Sequence, residues 1–273
     1  MARQMRETFD TVRGRDDRFF DLFQKDEDSV LKVLRSICSD TKRAAVVTLK
    51  DTDRTRAMLV RARQSGKRII ATIADLAEDA RDCFVGIDNK AAGATAAYLI
   101  ATALGDRPAT VGVVVGDHAY RCHEDREIGF RTALRQISRR AILAAETQGE
   151  DNAEKTYNGV LQMLKAHPGI GAIYNVGGGN PGLARALAEM DREQDVLVVA
   201  HEITFVSVPL LANGTMNYVL SQNPAELLST AIGRARGSKQ PADTNYLIDF
   251  GVYTKYNLPA YGRALHFESV QAV

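Results

Sequence analysis

The sequence predicts an α/β protein with two parallel β-sheets. Short Val/Ile/Ala runs alternate with helical stretches through most of its 273 residues. Runs such as TVGVVV (110–115) and VLVVA (196–200) lack polar alternation, as strands covered on both faces of a parallel sheet do. Ten such candidate strands suggest two sheets, hence two lobes. No low-complexity linker divides them, so the lobes are expected to exchange strands.

The elements follow in order. A charged helix over about 2–13 precedes any strand, although a βα unit normally begins with its strand. This marks an unusual start or an absent upstream piece. RFFDLF (18–23) is the first candidate strand. In the helix over 27–39, Val30, Leu31, Val33, Leu34 and Ile37 make one apolar stripe. AAVVTL (44–49), KRIIATI (67–73) and CFVGI (83–87) are strands, with Gly66 ending the helix between the first two. Asn89 can cap a helix whose Ala92, Ala96, Leu99 and Ile100 share a face, and Gly105 ends it. TVGVVV, AILAAE (141–146), GAIYN (171–175), VLVVA, MNYVLS (216–221) and NYLIDF (245–250) complete the strands. Asn180-Pro181 and Asn223-Pro224 each predict an Asn N-cap with Pro in the first helical position.

Composition narrows the function classes. The chain is 45% hydrophobic and 25% charged, within the range of folded globular proteins. With 35 Lys+Arg against 34 Asp+Glu, it has no general attraction for nucleic acid or anionic membranes. No 18-residue apolar run appears, and MARQMRETFDTVRGRDD lacks the apolar region of a secretory signal. Cys38, Cys83 and Cys122 form no CxxC spacing. A reducing cytoplasm is therefore the expected location.

Several residue groups could carry chemistry. Gly177, Gly179 and Gly182 in YNVGGGNPG spell GxGxxG between a strand and a helix, and Glu202 follows 20 residues later. That is the formal dinucleotide fingerprint. A glycine-rich turn open to any small ligand would read the same way. The polar stretch GDHAYRCHEDREIGF (116–130) contains His118, Tyr120, Cys122, His123 and Arg126. Its His/Cys spacing fits no closed metal site, so the favoured reading is a strand end facing a ligand. Lys50, Asp51, Asp75, Asp88, Asn175, His201, Glu202 and Gln222 also fall at strand ends. Such planar polar groups can donate to and accept from neighbouring hydroxyls. Such groups suit polyhydroxylated ligands, for which Tyr120 and Tyr174 are the candidate stacking rings. No GxSxG, HExxH or Walker A motif is present, so neither catalysis nor a bound cofactor or metal is expected.

VGIDNKAAGATAAYL (85–99), and then Arg126, Gly129 and Phe130 in R-x-x-G-F, resemble the effector-binding region of lactose-repressor (LacI/GalR) type transcription regulators. VLVVAHEIT, LANGTMNYVLSQNPAELLSTAI and VYTKYNLP extend the resemblance over about residues 17 to 260. It implies a type I periplasmic-binding-protein fold, with two parallel-sheet lobes joined by crossovers and a ligand cleft between them. The implied lobes are 1–89 with 222–241, and 90–221 with 242–273.

The resemblance also implies ligand-binding residues. Arg126 matches an effector-contacting arginine, and Glu202 stands where the family has an aspartate for sugar hydroxyls. Asn175 lies at or beside a ligand-binding polar position. Gln222 matches the polar residue at the last crossover, and Asp75 and Asp88 match residues near the cleft. Tyr120 and His123 occupy a loop that sets specificity. The family's helix-turn-helix, hinge helix and first strand have no counterpart here. The resulting expectation is the core of a cytoplasmic, dimeric regulator with a carbohydrate or polyol effector, reaching operator DNA only through an absent head domain. Two alternatives stand beside it. One is a periplasmic sugar-binding protein of a transporter, the other an NAD-dependent enzyme using the glycine turn.

Overall fold

A computed structural model describes residues 2–14, 17–22, 25–41, 43–105, 108–137, 141–237 and 244–263. The elements begin with α1 (Ala2–Val12), α2 (Glu27–Ser39), β1 (Ala44–Val47), α3 (Asp53–Gln64), β2 (Arg68–Thr72) and β3 (Cys83–Gly86). Next come α4 (Asn89–Leu104), β4 (Ala109–Val115), α5 (Arg121–Ile137), β5 (Ala141–Gln148), α6 (Ala153–Ala166) and β6 (Ile170–Asn175). The last are α7 (Asn180–Glu189), β7 (Leu197–His201), α8 (Ser207–Ala212), β8 (Tyr218–Gln222), α9 (Pro224–Arg236), β9 (Asn245–Leu247) and β10 (Phe250–Tyr253).

The chain forms two compact units. The first gathers the residues up to Asp88, Ala119–Cys122 and Gln222–Asp249. Its sheet has the order β1-β2-β3-β9, and every pair is parallel. Ile69, Ile70 and Ala71 are fully buried. Leu31, Leu34, Leu59, Ile69, Leu76 and Phe84 build the core shared with α2 and α3. On α9, contacts run to β1, β2 and β3, and α1 packs on α9 in turn. Local chemistry fixes the helix starts. Asp26 accepts from Ser29 N, Thr52 and Thr55 form a reciprocal capping box, and Asn223 caps α9 before Pro224.

The second unit gathers Asn89–His118, His123–Ser221 and, among the described residues, 250–263. Its sheet has the order β10-β8-β7-β6-β4-β5, with the pairs from β8 through β5 parallel. Val160, Leu164, Ile170, Ile173, Leu183, Leu187 and Val198 form its core. Two close helix approaches shape it. A Cβ on Gly93 of α4 would lie 1.9 Å from the Arg126 carbonyl oxygen, and one on Gly129 of α5 would lie 2.0 Å from that of Lys90. Only glycine lets these helix backbones meet.

Four expectations are corrected. RFFDLF forms no strand over its described residues 18–22, and Phe23 lies outside them. There Phe19 packs on Phe9 with ring centroids 5.4 Å apart, and Arg18 pairs with Asp40. The aromatic residues are thus held by side-chain contacts and not by a ladder. NYLIDF splits in two. Asn245–Leu247 pairs with Phe84–Gly86, so residues 244–249 join the first unit although 242–273 was expected in the second lobe. Residues 242 and 243 lie outside the described residues. Ala119–Cys122 also joins the first unit. Finally, Asn180 is the first helical residue of α7 and not its cap. Gly179 occupies the cap at φ +82°, with no side-chain capping bond.

Candidate functional site

Parallel strands end together at the carboxyl edge of a sheet, where loops and helix starts supply side chains. In the second unit this edge collects Asn89 from the start of α4, Arg126 from α5, Asn175 from the end of β6 and His201–Glu202 from the end of β7. The Gly93 and Gly129 approaches bring the first two together. Arg126 Nε donates to Asn89 Oδ1 at 2.8 Å, Nη1 donates to the Val176 carbonyl at 3.2 Å and Nη2 meets Glu202 Oε1 at 3.3 Å. Arg126 is only 2% exposed. Burying its charge is affordable because the Glu202 carboxylate and two neutral oxygens surround it.

Glu202 has a left-handed backbone, φ +69°, unusual for a side chain with a Cβ. Its N–H donates to Leu220 O at 2.8 Å, and its carbonyl accepts from Ser207 Oγ. Its second carboxylate oxygen accepts from Ser221 Oγ at 3.3 Å. The carboxylate therefore lies between a guanidinium and a hydroxyl.

Beneath this pair is a buried polar and aromatic layer. The Tyr174 hydroxyl is 2.7 Å from His201 Nε2, and the Tyr174 ring stacks on Phe130 at 4.4 Å. Burial first, then the charges of Arg126 and His123, hold the His201 imidazole well below its ordinary pKa. Two buried atoms, Asn175 Oδ1 and His201 Nδ1, lack a hydrogen-bond partner. Asn175 Nδ2 is engaged, donating to Gly178 O and Asn180 Oδ1.

The structure places the expected site residues in two groups. Arg126, Glu202, Asn175 and His123 all belong to the second unit. Asp75, Asp88, Tyr120 and Gln222 belong to the first. Asp75 is bound to buried Arg81, with its Oδ2 accepting from Nη2 at 2.7 Å, so its carboxylate is already committed. Asp88 is exposed after β3, Tyr120 lies under the Lys50 ammonium at 5.8 Å, and buried Gln222 closes β8. Tyr174 is fully buried against Phe130 and offers no open face for stacking. Asn89 and Ser221 were missed as site residues. Asn89 reads in sequence only as a helix cap, and Ser221 as the end of an apolar run.

The glycine turn has a different use from the dinucleotide reading. Gly178 N donates to Asp151 Oδ1 at 2.5 Å, so a carboxylate of this chain already holds the amide where a phosphate would sit. A Cβ on Gly177 would strike Asp151 and His123, and one on Gly182 would lie 1.9 Å from Ala153 O. These glycines serve internal packing, and Glu202 faces Arg126 instead of a ribose. The NAD alternative is corrected on these grounds. His118 pairs with Glu127, and His123 Nδ1 lies 3.0 Å from Asp117 O. Among the described residues no cluster of three metal-ligating side chains occurs.

Open parallel sheets in two units, with a buried arginine–carboxylate pair at one carboxyl edge, make this an α/β protein. The chain belongs to the periplasmic binding protein domain family, whose model matches residues 36–235. Its architecture is the type I periplasmic-binding-protein fold. Three solved structures illustrate the likeness. A solute-binding protein from Actinobacillus succinogenes 130z with bound D-allose has a TM-score of 0.79 and 20% identity, covering 93% of this chain and 91% of that one. GanP, a glucose-galactose binding protein from Geobacillus stearothermophilus, has a TM-score of 0.81 and 18% identity over 94% and 92%. A solute-binding protein from Burkholderia graminis C4D1M in complex with D-arabinose has a TM-score of 0.79 and 20% identity over 86% and 83%. The D-allose-binding periplasmic protein of Escherichia coli K12 is 28% identical over 152 residues, or 55% of this chain. This chain spans about half the length of that curated relative, 49%.

These relatives overturn two expectations. The reading as a DNA-binding transcription regulator gives way, because they are transporter and periplasmic sugar-binding proteins. The cytoplasmic location is contradicted by the periplasmic relative. Operator DNA and a homodimer find no support among them. The expectation that the chain is no enzyme agrees with relatives named for binding sugars.

Proposed function

We propose that this chain is a sugar-binding domain of the transporter-associated kind, acts in the periplasm and takes a neutral monosaccharide. The observation that carries the reading is the buried Asn89–Arg126–Glu202 chain at the carboxyl edge of the second unit's sheet. Adjacent sugar hydroxyls each donate and accept, and a guanidinium beside a carboxylate offers both functions side by side. The pair is formally neutral, so it suits an uncharged polyol better than a sugar phosphate or sugar acid. Asn175 Oδ1 is a further acceptor without a protein donor. In this reading Arg126 and Glu202 grip hydroxyls and Asn89 and Asn175 orient them. His123, of the same unit, is proposed as a secondary contact, whereas Asp75 serves Arg81. The relatives named for allose, arabinose and glucose-galactose support the ligand class.

A thermal-shift screen with D-allose, D-arabinose, D-glucose, D-galactose, a sugar phosphate, a sugar acid and NADH tests this. Ligand at 100 times its dissociation constant adds about 2.7 kcal/mol, a readable shift. A shift with a neutral monosaccharide that disappears in Arg126→Ala supports the proposal. A shift with the phosphate, the acid or NADH alone, or with none of them, refutes it.

A further inference from the structure

Behind Glu202 lies a second row of hydroxyls that the sugar reading does not use. Ser221, near the end of β8, accepts at Oγ from the Ile203 N–H at 3.1 Å and from the Tyr261 hydroxyl at 3.3 Å. The same Oγ donates to Glu202 Oε2 at 3.3 Å. A serine hydroxyl has one proton and two lone pairs. With both lone pairs occupied by donors, its proton is left for the carboxylate. The backbone N–H cannot reverse its role, so the direction of the row depends on Tyr261. Tyr261 sits in the helical turn at 260–263 and packs on the second unit's core beside Tyr253 and Leu258. Burial, as the largest cause, raises the phenol well above its ordinary pKa, with a hydrogen bond to Tyr253 adding to it, so Tyr261 stays protonated.

We propose that Tyr261 is a positioning residue for the ligand site, fixing the Glu202 carboxylate through Ser221 so that Oε1 stays on Arg126. The inference rests on the sugar-binding reading for its functional consequence, but its structural half stands alone. One carboxylate oxygen is held from behind and the other meets the guanidinium. Without the Tyr261 hydroxyl, Ser221 Oγ loses one of its donors and its proton can turn away from Oε2. Glu202, on a left-handed backbone with few alternative paths, then loses its rear support.

The test uses Tyr261→Phe, which keeps the ring packing, and Ser221→Ala, which breaks the row at its middle. In ¹³C-glutamate-labelled protein without ligand, the Glu202 carboxylate resonance is assigned by its loss in Glu202→Gln. It is then compared in both variants, each checked for a cooperative melt. The same proteins are titrated with D-allose, D-arabinose and D-glucose. A moved Glu202 resonance in both variants is expected, with affinity about fivefold weaker in each, the size of one hydrogen bond. The double variant should be no weaker than the weaker single one. An unmoved resonance in either folded variant overturns the proposal. So does unchanged affinity in Tyr261→Phe where Arg126→Ala abolishes binding. Should wild type bind none of the three sugars, or Arg126→Ala bind as well as wild type, the sugar-binding reading fails, and the resonance alone decides the positioning role.

Discussion

Replacing Gly93 with alanine tests how the fold builds the site. The new Cβ would stand 1.9 Å from the Arg126 carbonyl oxygen and 2.9 Å from Phe130 N. Ordinary contact begins near 3.4 Å, so α4 and α5 must separate by about 1.5 Å. The opposing atoms are backbone and cannot rotate aside. Phe130 is fully buried and stacked on Tyr174, which resists movement of α5. Overpacking costs about 1–3 kcal/mol, and backbone opposition places this case at the upper end. Alanine's helix preference returns about 1 kcal/mol. A net loss of about 2 kcal/mol is expected in urea unfolding. Separation also lengthens the 2.8 Å Arg126–Asn89 bond, so sugar affinity should fall with stability. An unfolding midpoint equal to or above wild type would refute the claim that this glycine sets the crossing.

Three further outcomes follow from the same structure. Gly233→Ala in α9, where nothing lies within 4 Å of the new Cβ, should raise stability by about 1 kcal/mol in the same urea assay; a loss would show hidden crowding. Arg126→Ala should abolish sugar binding in calorimetric titration and destabilise the fold by about 3 kcal/mol, because it strips the buried Glu202 carboxylate of its partner. His201 is kept neutral by burial, so the unfolded chain takes up a proton there that the fold refuses. Stability is then complete above the ordinary value of 6.5 and falls as pH drops below it, by at most about 1.4 kcal/mol per pH unit. His201→Phe should flatten that acid limb in pH-dependent melts, and an identical limb in wild type and variant would count against the assignment.

The fold was largely legible because its strands are buried on both faces. Runs such as Thr110–Val115 admit few other readings, and helix ends at Gly66 and Gly105 carry the expected positive φ. RFFDLF misled because aromatic density imitates a strand while Phe19 is consumed by Phe9. Asn180 misled because its side chain accepts from Asn175 instead of capping its own helix. Arg126 and Glu202 were found through resemblance, but their meeting was not readable, since 76 residues separate them. Ser221 and Tyr261 carry no local signal. Their 40-residue separation makes the contact a product of sheet order, which single-sequence periodicity does not encode. Transporter relatives rather than regulators emerged only from comparison, since both uses share the strand and helix pattern.

The most direct test of sugar binding is calorimetric titration of wild type, Arg126→Ala and Glu202→Ala with the monosaccharide giving the largest thermal shift. The account predicts saturable binding at one site in wild type and no measurable heat of binding in either folded variant. Matching isotherms in all three proteins would place the ligand elsewhere and contradict it.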